Sequence, residues 1–407
     1  MPVTTAASGP ARRARRLEVL MIDAGSRQSL PFIKALRLAG HRVVVACPSR
    51  VSMGFLCRYA ERRLLWPAAD SDRDGYVRAM LDYVRRRRPD VTLALEDDGA
   101  EIASLHKPEL LRYTALALPD HDVFLRAADK ARTMAFCMDH GLPCPRTFFP
   151  QRQGLEEIIA ACPFPAIVKP RRGIGAVGVH RIDTPDELRR HWDKLCSRYG
   201  DLIVQEYIPL AGGTQFQAEA FLDADSRMKA CLVIAKPRFF PITGGTSTAN
   251  VTIDRPGIQQ TARRLLEGIG WIGAADVDFI LDPRDNVPKI LEINPRVTAG
   301  IKIAFMAGID FADLSMRLAL GEPVPEIASY RLGVELRNLC LDILWYIFAD
   351  KHMRRNTWPP YFRFFGRDVH YQTFSADDPL PLAGFILTRL AKFASKEKRR
   401  EKLARDL

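Results

Sequence analysis

The eight cysteines, at 47, 57, 137, 144, 162, 196, 231 and 340, form no C-x-x-C pair and no metal-ligand spacing with the eight histidines. That removes zinc ribbons, dithiol redox motifs and disulfide-stapled secreted scaffolds. The thiols are expected to be buried and reduced, as in a cytoplasmic chain. No apolar run reaches the roughly 18 residues that crossing a bilayer takes. The longest, LCLDILWYIFA at 339–349, is short and contains Asp342. The N-terminal basic stretch is followed by LEVLMIDAG, which carries Glu18 and Asp23 and reads as a first strand, not a secretory segment. Internal repeats, low-complexity linkers and a Ser–His or Cys–His nucleophile pattern are also missing.

What is in excess is positive charge, and it is concentrated at the ends. The formal charge is +12 over 407 residues, 47% of them apolar. Residues 1–17 carry four Arg without an acid, and 381–407 carry eight bases against three acids, so nine of the twelve excess charges are terminal. This argues against a nucleic-acid groove built into the fold and for adhesive termini whose partner is an anionic surface. The length suits two or three domains.

Residues 17–120 alternate apolar β-branched runs with amphipathic helical patterns, the signature of βαβ units and a parallel sheet. A dinucleotide-binding reading fails: the first turn, AGSRQS, has one glycine, and the second strand ends at Ala46–Cys47 where an acidic ribose ligand belongs. The cluster Glu96–Asp97–Asp98 follows the next strand, at the sheet edge where open α/β sheets bind ligands; a solvated helix N-terminus explains it equally well. A helix pattern near 126–141 closes at Gly141, and the expected boundary lies just before it. Past about 328 the pattern changes to the aromatic- and Arg-rich stretch WYIFADKHMRRNTWPPYFRFFGR and a basic tail.

The segment VKPRRGIGAVGV places Gly173, Gly175 and Gly178 at G-x-G-x-x-G spacing, but a strand pattern follows it, not a helix. It is predicted to be a glycine-rich β-hairpin whose amides approach phosphate oxygens beside Lys169, Arg171 and Arg172; a bland hairpin with surface bases is the alternative. About a hundred residues on, AADVDFILDPRDNVPKILEINPR reads as a second hairpin turning at Pro283–Asn286. Side chains alternate across a strand, so Asp276 and Asp278 share a face, as do Glu292 and Asn294 in the returning strand. Oxygen donors without His or Cys suit Mg²⁺ shared with substrate phosphates, a reading that overtakes a solvated strand face once the phosphate-type loop upstream is counted. Between them, KPRFFPITGGTSTANV puts Lys236 and Arg238 ahead of Gly244–Gly245, which fits an anionic substrate group or an ordinary loop.

Taken in order, DKARTM, IVKP, the glycine hairpin, QEYIP, GGTSTANV and LEINPR resemble the ATP-grasp superfamily, nearest its carbamoyl-phosphate-synthase-like carboxylate–amine ligases, over roughly residues 17–325. The resemblance implies an α/β chain with an N-terminal Rossmann-like preATP-grasp domain at 17–125, a two-part α+β ATP-grasp domain at 126–328 and an α-rich basic C-terminal appendix at 329–407. It implies ATP and Mg²⁺, or Mn²⁺, as cofactors. Lys130 and Lys169 would contact the phosphates, Gly173, Gly175 and Gly178 would close over them, and Glu206 and Ile208 would form the adenine hinge. The ribose would meet Gln215, or Glu219 if the register is shifted by four. Asp278, Glu292 and Asn294 would hold the metal; Asp278 stands where relatives often carry Gln or Glu. Lys169, Arg238 and Arg296 would be catalytic. The implied reaction activates a carboxylate as an acyl phosphate and passes it to an amine, with small-molecule substrates and, as among relatives, a homodimer.

The tail PLPLAGFILTRLAKFASKEKRREK puts Leu382, Ile386, Leu387, Leu390 and Phe393 on one helical arc with Arg389, Lys392 and Lys396 on its flank. Such a helix lies on an anionic membrane, here the cytoplasmic inner face, or docks on the protein. Two rival classes are a catalytically silent ATP-binding regulator, which intact Lys169, Glu292 and Asn294 disfavour, and a nucleic-acid partner using the basic ends, for which no specific motif exists.

Overall fold

The computed structural model describes residues 16–173, 177–209, 215–242 and 245–394, without the side chains of 389–394. The first sheet is parallel, in the order Arg62–Leu65, Arg42–Cys47, Glu18–Met21, Val91–Leu93 and Ala115–Leu116. Its inner strands are almost wholly apolar because both faces are covered, while the edge strand Arg62–Leu65 is largely exposed. Met21, Val43 and Val45 pack with Phe32, Ile33 and Leu36 of helix Ser29–Leu38. Leu20 and Val44 pack with Met80 and Val84 of helix Arg73–Arg87. Strand order reverses at Glu18–Met21, which opens a crevice beyond the carboxyl ends of that strand and Val91–Leu93.

A second, antiparallel sheet runs Thr147–Phe148, Leu202–Glu206, Ala166–Pro170, His180–Ile182. The hairpin expected around the glycine loop is its last pair. Helix Pro185–Tyr199, capped by Thr184 accepting from the Glu187 N–H and started by a proline whose missing donor costs nothing there, packs Leu188 and Leu195 against Val168 and Val204.

The third sheet has seven strands: Val287–Asn294, Gly273–Asp282, Gln215–Leu222, Met228–Phe240, Thr246–Ile253, Glu335–Arg337 and Val369–Tyr371. The last two lie past 329, where the expected α-rich segment also contributes two short strands to this sheet. Strand Thr246–Ile253 would otherwise present an unpaired edge, and Glu335–Arg337 pairs antiparallel with it at Ala249–Val251. The segment after 329 is thus continuous with the sheet, and only then adds helices Leu339–Phe348 and Lys351–Asn356.

Beneath this junction lies a buried charge cluster. Asp342, in the first turn of helix Leu339–Phe348, accepts from Arg238 Nε at 2.9 Å, Arg337 Nε at 2.8 Å and the Thr248 hydroxyl at 2.8 Å. Glu335 stands 3.8 and 3.7 Å from the same two guanidinium groups. Arg238 also donates to the Pro359 carbonyl and lies over the Trp345 ring. Arg238, expected at the catalytic centre, is therefore consumed by the scaffold: sheet pairing is irregular between Ala235 and Arg238, so it does not continue the face that Lys236 serves.

Helix Leu380–Ala394 docks against helix Met53–Leu56 beside the parallel sheet, one of the two expected arrangements, though not through the predicted arc. A Cβ on Gly384 would stand 2.5 Å from the Val51 carbonyl oxygen, and Pro381 and Gly384 are buried while Ile386 and Leu387 are exposed. Residues 395–407, the rest of the basic tail, and residues 1–15 lie outside the described residues. Among the described residues no helix is long and apolar enough to cross a membrane, and the cysteines are free thiols, Cys340 alone fully exposed.

Replacing Asp342 by Ala leaves two guanidinium groups buried without their shared partner. We expect a loss of about 3–5 kcal/mol in denaturant unfolding; a loss below about 1 kcal/mol would show that water reaches the cluster.

Candidate functional site

The polar face of the seven-stranded sheet is built by strand alternation. Register sets Asp278 beside Glu292 and Gln217, and Asp276 beside Asn294 and Glu219. A bulge at Leu291 interrupts the pairing just past Glu292 and turns the Leu291 carbonyl toward Lys169, whose Nζ donates to it at 3.4 Å. Asn294 Nδ2 donates to Asp276 at 2.7 Å and to Asp278 at 3.2 Å. Gln217 Nε2 donates to Glu219 at 2.6 Å and to Thr298 Oγ1 at 3.0 Å, and the Thr298 hydroxyl also donates to Glu219.

Cations reach this face from three elements. Lys169 comes from Ala166–Pro170 of the four-stranded sheet. Lys130 opens helix Lys130–Asp139, which Asp129 caps by accepting from the Ala131 N–H; its Nζ is 3.1 Å from Glu292 Oε2 and donates to the Gly173 carbonyl at 3.1 Å. Lys236 of Met228–Phe240 pairs with Asp278. Gly173 has φ +146°, and at Gly178, φ +74°, a Cβ would stand 2.8 Å from Pro170, so both hairpin positions require glycine. Gly175 lies outside the described residues.

Burial dominates the electrostatics. It pushes the Lys169 ammonium down to about 8, against the pull of Glu292. Burial also opposes ionisation of Glu292, but Lys130 and Lys169 outweigh it and hold the carboxyl below its ordinary range. Asp276 and Glu219 are raised, first by burial and, for Asp276, then by the charges of Asp278 and Glu219. One oxygen of each, Asp276 Oδ1 and Glu219 Oε2, is buried with no hydrogen-bond partner.

The expected residues separate into three groups. Lys130, Lys169, Gly173, Asp278, Glu292 and Asn294 converge. Arg296 is held beside them by Asp97, at the start of helix Asp97–Leu105, an ion pair that joins the acidic cluster beyond the parallel sheet to the sheet face. Glu206 and Ile208 stand at the end of Leu202–Glu206, where the Glu206 carboxylate accepts from the Arg146 N–H at 2.9 Å and from Arg284 at 3.0 Å. Gln215 opens its strand opposite Lys236, while Glu219 is enclosed with Thr298 in the acidic face. Sequence reasoning missed Gln217, which the same two-residue alternation between Gln215 and Glu219 reveals, and Thr298, for which spacing carries no signal.

Next to this face, a cavity of about 500 Å³ occupies the crevice of the parallel sheet, walled by Asp23, Asp70, Glu96 and Asp98 and bordered by Ala299 and by Phe385 of the docked helix. The Tyr76 hydroxyl donates to Asp23 Oδ1 at 2.6 Å. A Cβ on Gly99 would fall 1.7 Å from Asp23 Oδ2, so only glycine admits the carboxylate there. Burial, then the Glu96 charge, raises Asp23 to about 8; Glu96 and Asp98 are raised as well, chiefly by burial.

A divalent cation fits the sheet face by its donor set. Asp278, Glu292 and Asn294 supply hard oxygens on adjoining strands, and the orphaned oxygens of Asp276 and Glu219 mark a surplus of buried acceptors. Among the described residues no three acidic, imidazole or thiol groups form a cage by themselves. Mg²⁺ shared with phosphates needs only one or two carboxylates.

A family model described as the ATP-grasp domain matches residues 127–300. The chain is 26% identical over 269 residues to the D-aspartate ligase of Enterococcus faecium, covering 60% of this chain and 63% of that protein. It is 31% identical over 226 residues to a D-alanine–D-alanine ligase of Anaeromyxobacter dehalogenans, covering 52% and 64%. It therefore spans less than two thirds of the length of either ligase. In fold it matches the biotin carboxylase domain of the Hydrogenobacter thermophilus 2-oxoglutarate carboxylase, with TM-score 0.66 at 16% identity over 78% of this chain and 73% of that one. Residues 127–300, whose two hairpins bring the lysines and carboxylates together, thus match the ATP-grasp domain in sequence.

Proposed function

We propose that this chain is an ATP-dependent carboxylate–amine ligase. The observation that carries the reading is the convergence of Lys130 and Lys169 on Glu292 and its neighbouring carbonyl, beside a glycine hairpin and an oxygen-only donor face. Both sequence relatives are named as ligases that join amino acids.

In the proposed reaction a carboxylate oxygen attacks the γ-phosphorus in line, the bond to the β-γ bridging oxygen breaks, and ADP leaves. Lys130 and Lys169 lie against the phosphates, and the hairpin backbone around Gly173 and Gly178 covers them and excludes water from the acyl phosphate. Mg²⁺, held by Asp278, Glu292 and Asn294, would supply charge neutralisation on the phosphates when bound. Arg296, kept in place by Asp97, steadies the oxyanion that forms when the amine attacks the acyl carbon, while Arg238 is held in the scaffold. The Glu206 carboxylate is already engaged, which leaves adenine recognition at the hinge to main-chain groups near Ile208.

The acid-walled cavity suits the amine. Asp23 is enclosed and feels the charges of Glu96 and Asp98, so an arriving ammonium relieves that repulsion, and the Asp23 carboxyl, near 8, can take the ammonium proton before attack on the acyl carbon. Phosphate then departs and the amide remains.

The deciding measurement is ADP release from Mg-ATP with pooled small carboxylates, each with and without amines. We expect release that requires a carboxylate, and a fall of about 10²–10³-fold in Lys169→Met. ATP binding without turnover against every pool would favour a silent regulator; no ATP binding would overturn the reading.

Asp23 gives a second test that needs no substrate. Its folded carboxyl is raised from 3.8 to about 8, so the unfolded chain releases this proton first and stability falls as pH rises between those values. Asp23→Asn, which still accepts from Tyr76, should gain stability relative to the parent between pH 5 and pH 8 in denaturant titrations, then run level above about 8. A constant difference across that range would show that Asp23 is ionised throughout.

A further inference from the structure

Helix Leu339–Phe348 buries only Asp342 and Trp345. Its opposite face stays open: Leu339, Ile343 and Ile347 stand in line at four-residue spacing, 41%, 44% and 59% exposed, with Phe348 beside them at 65%. The chain that returns past it adds Phe362 at 70% and Phe365 at 90%. A run of large apolar groups this exposed marks an interaction surface.

The ridge stands on a packed base. Tyr346 stacks on Tyr361 at 4.2 Å between centroids, Tyr361 meets Trp345, and the buried Arg238–Asp342–Arg337 cluster lies directly beneath. Arg354 donates to the Ile347 carbonyl at 2.9 Å and covers the Tyr346 ring, tying the next helix to it.

Charge identifies the occupant. Residues 343–367 hold five Lys or Arg and one acid, Asp350, whose carboxylate caps the following helix by accepting from the Met353 N–H. Lys351, Arg355, Arg363 and Arg367 are exposed around the apolar groups. A second copy of the chain meeting this face symmetrically would set these cations against themselves. An anionic lipid surface satisfies both components, phosphates for the bases and acyl boundary for the ridge. No described helix is long and apolar enough to span, so the contact is peripheral.

We propose that this face docks on an anionic lipid surface, with Ile347, Phe362 and Phe365 entering the headgroup boundary and the four surrounding cations meeting lipid phosphates. The surface is distinct from the docked helix Leu380–Ala394 and independent of the ligase reading.

The test is co-sedimentation of the full chain with phosphatidylcholine vesicles, and with vesicles that also contain phosphatidylglycerol, at low and high salt. Binding should require the anionic lipid and weaken with salt. Ile347→Ser with Phe365→Ser, and separately Arg363→Glu with Arg367→Glu, should each weaken it on the order of tenfold or more. Lys396→Glu with Arg399→Glu and Arg400→Glu, in the basic tail, should leave most of it. Thermal melts establish that each variant is folded, and the charge reversals, which remove no apolar contact, stand in should the serine pair melt early. Failure to sediment with either vesicle overturns the proposal. So does binding that the tail variant alone abolishes, or a dimer in light scattering that the serine pair dissolves while vesicle binding is nil.

Discussion

Two lysines, one from a sheet and one from a helix, reach across to a single strand, and the geometry of the centre depends on them. Lys169 leaves the four-stranded sheet to reach the Leu291 carbonyl, and Lys130 leaves the helix before it to reach Glu292. Both targets sit at one bulge in strand Val287–Asn294. Were that strand regular, Leu291 would face its neighbour's ladder and its carbonyl would be spent within the sheet. The bulge frees one acceptor at the point where the two lobes meet. It thereby sets how far the glycine hairpin stands from the carboxylates.

How much of this was readable follows from the range of the interactions. The two hairpins and the shared faces of Asp276 with Asp278 and Glu292 with Asn294 were legible, because a period of two is local and each turn is spelled by its own residues. Gln217 obeys the same period and was within reach. Arg238 was not: it stands two residues beyond Lys236, and only an irregularity in pairing and an aspartate a hundred residues later send it into the scaffold. The same partner explains why residues after 329 extend the sheet. Asp342 gathers Arg238 from one strand and Arg337 from another, a long-range contact with no local signature. The amphipathic arc of the C-terminal helix left docking and membrane contact both open, and did not name the docking face, for a related reason. Gly384, silent in a hydrophobicity pattern, is the residue that permits close docking.

The acidic crevice and the sheet face are linked by a short span of chain. Asn294 belongs to the donor set, Arg296 pairs with Asp97 beyond the parallel sheet, Thr298 supports Glu219, and Ala299 borders the cavity. One irregular segment thus touches the donor face, the domain contact and the cavity wall in six residues.

Burial works in opposite senses in the two adjoining chambers. On the sheet face it opposes the charge of Lys169, bringing the ammonium down to about 8, and in the cavity it opposes the charge of Asp23, bringing the carboxyl up to about 8. In each group burial opposes the charged form, so a neighbour of opposite sign favours that form. On the proposed reading, a polyphosphate restores the first and an ammonium the second. A ligand of the wrong sign meets a group that can shed its charge but gains nothing by doing so. Selection between the two substrates then rests on the sign of charge each chamber welcomes, and the Arg296–Asp97 pair, one cation and one anion, stands at the boundary between them.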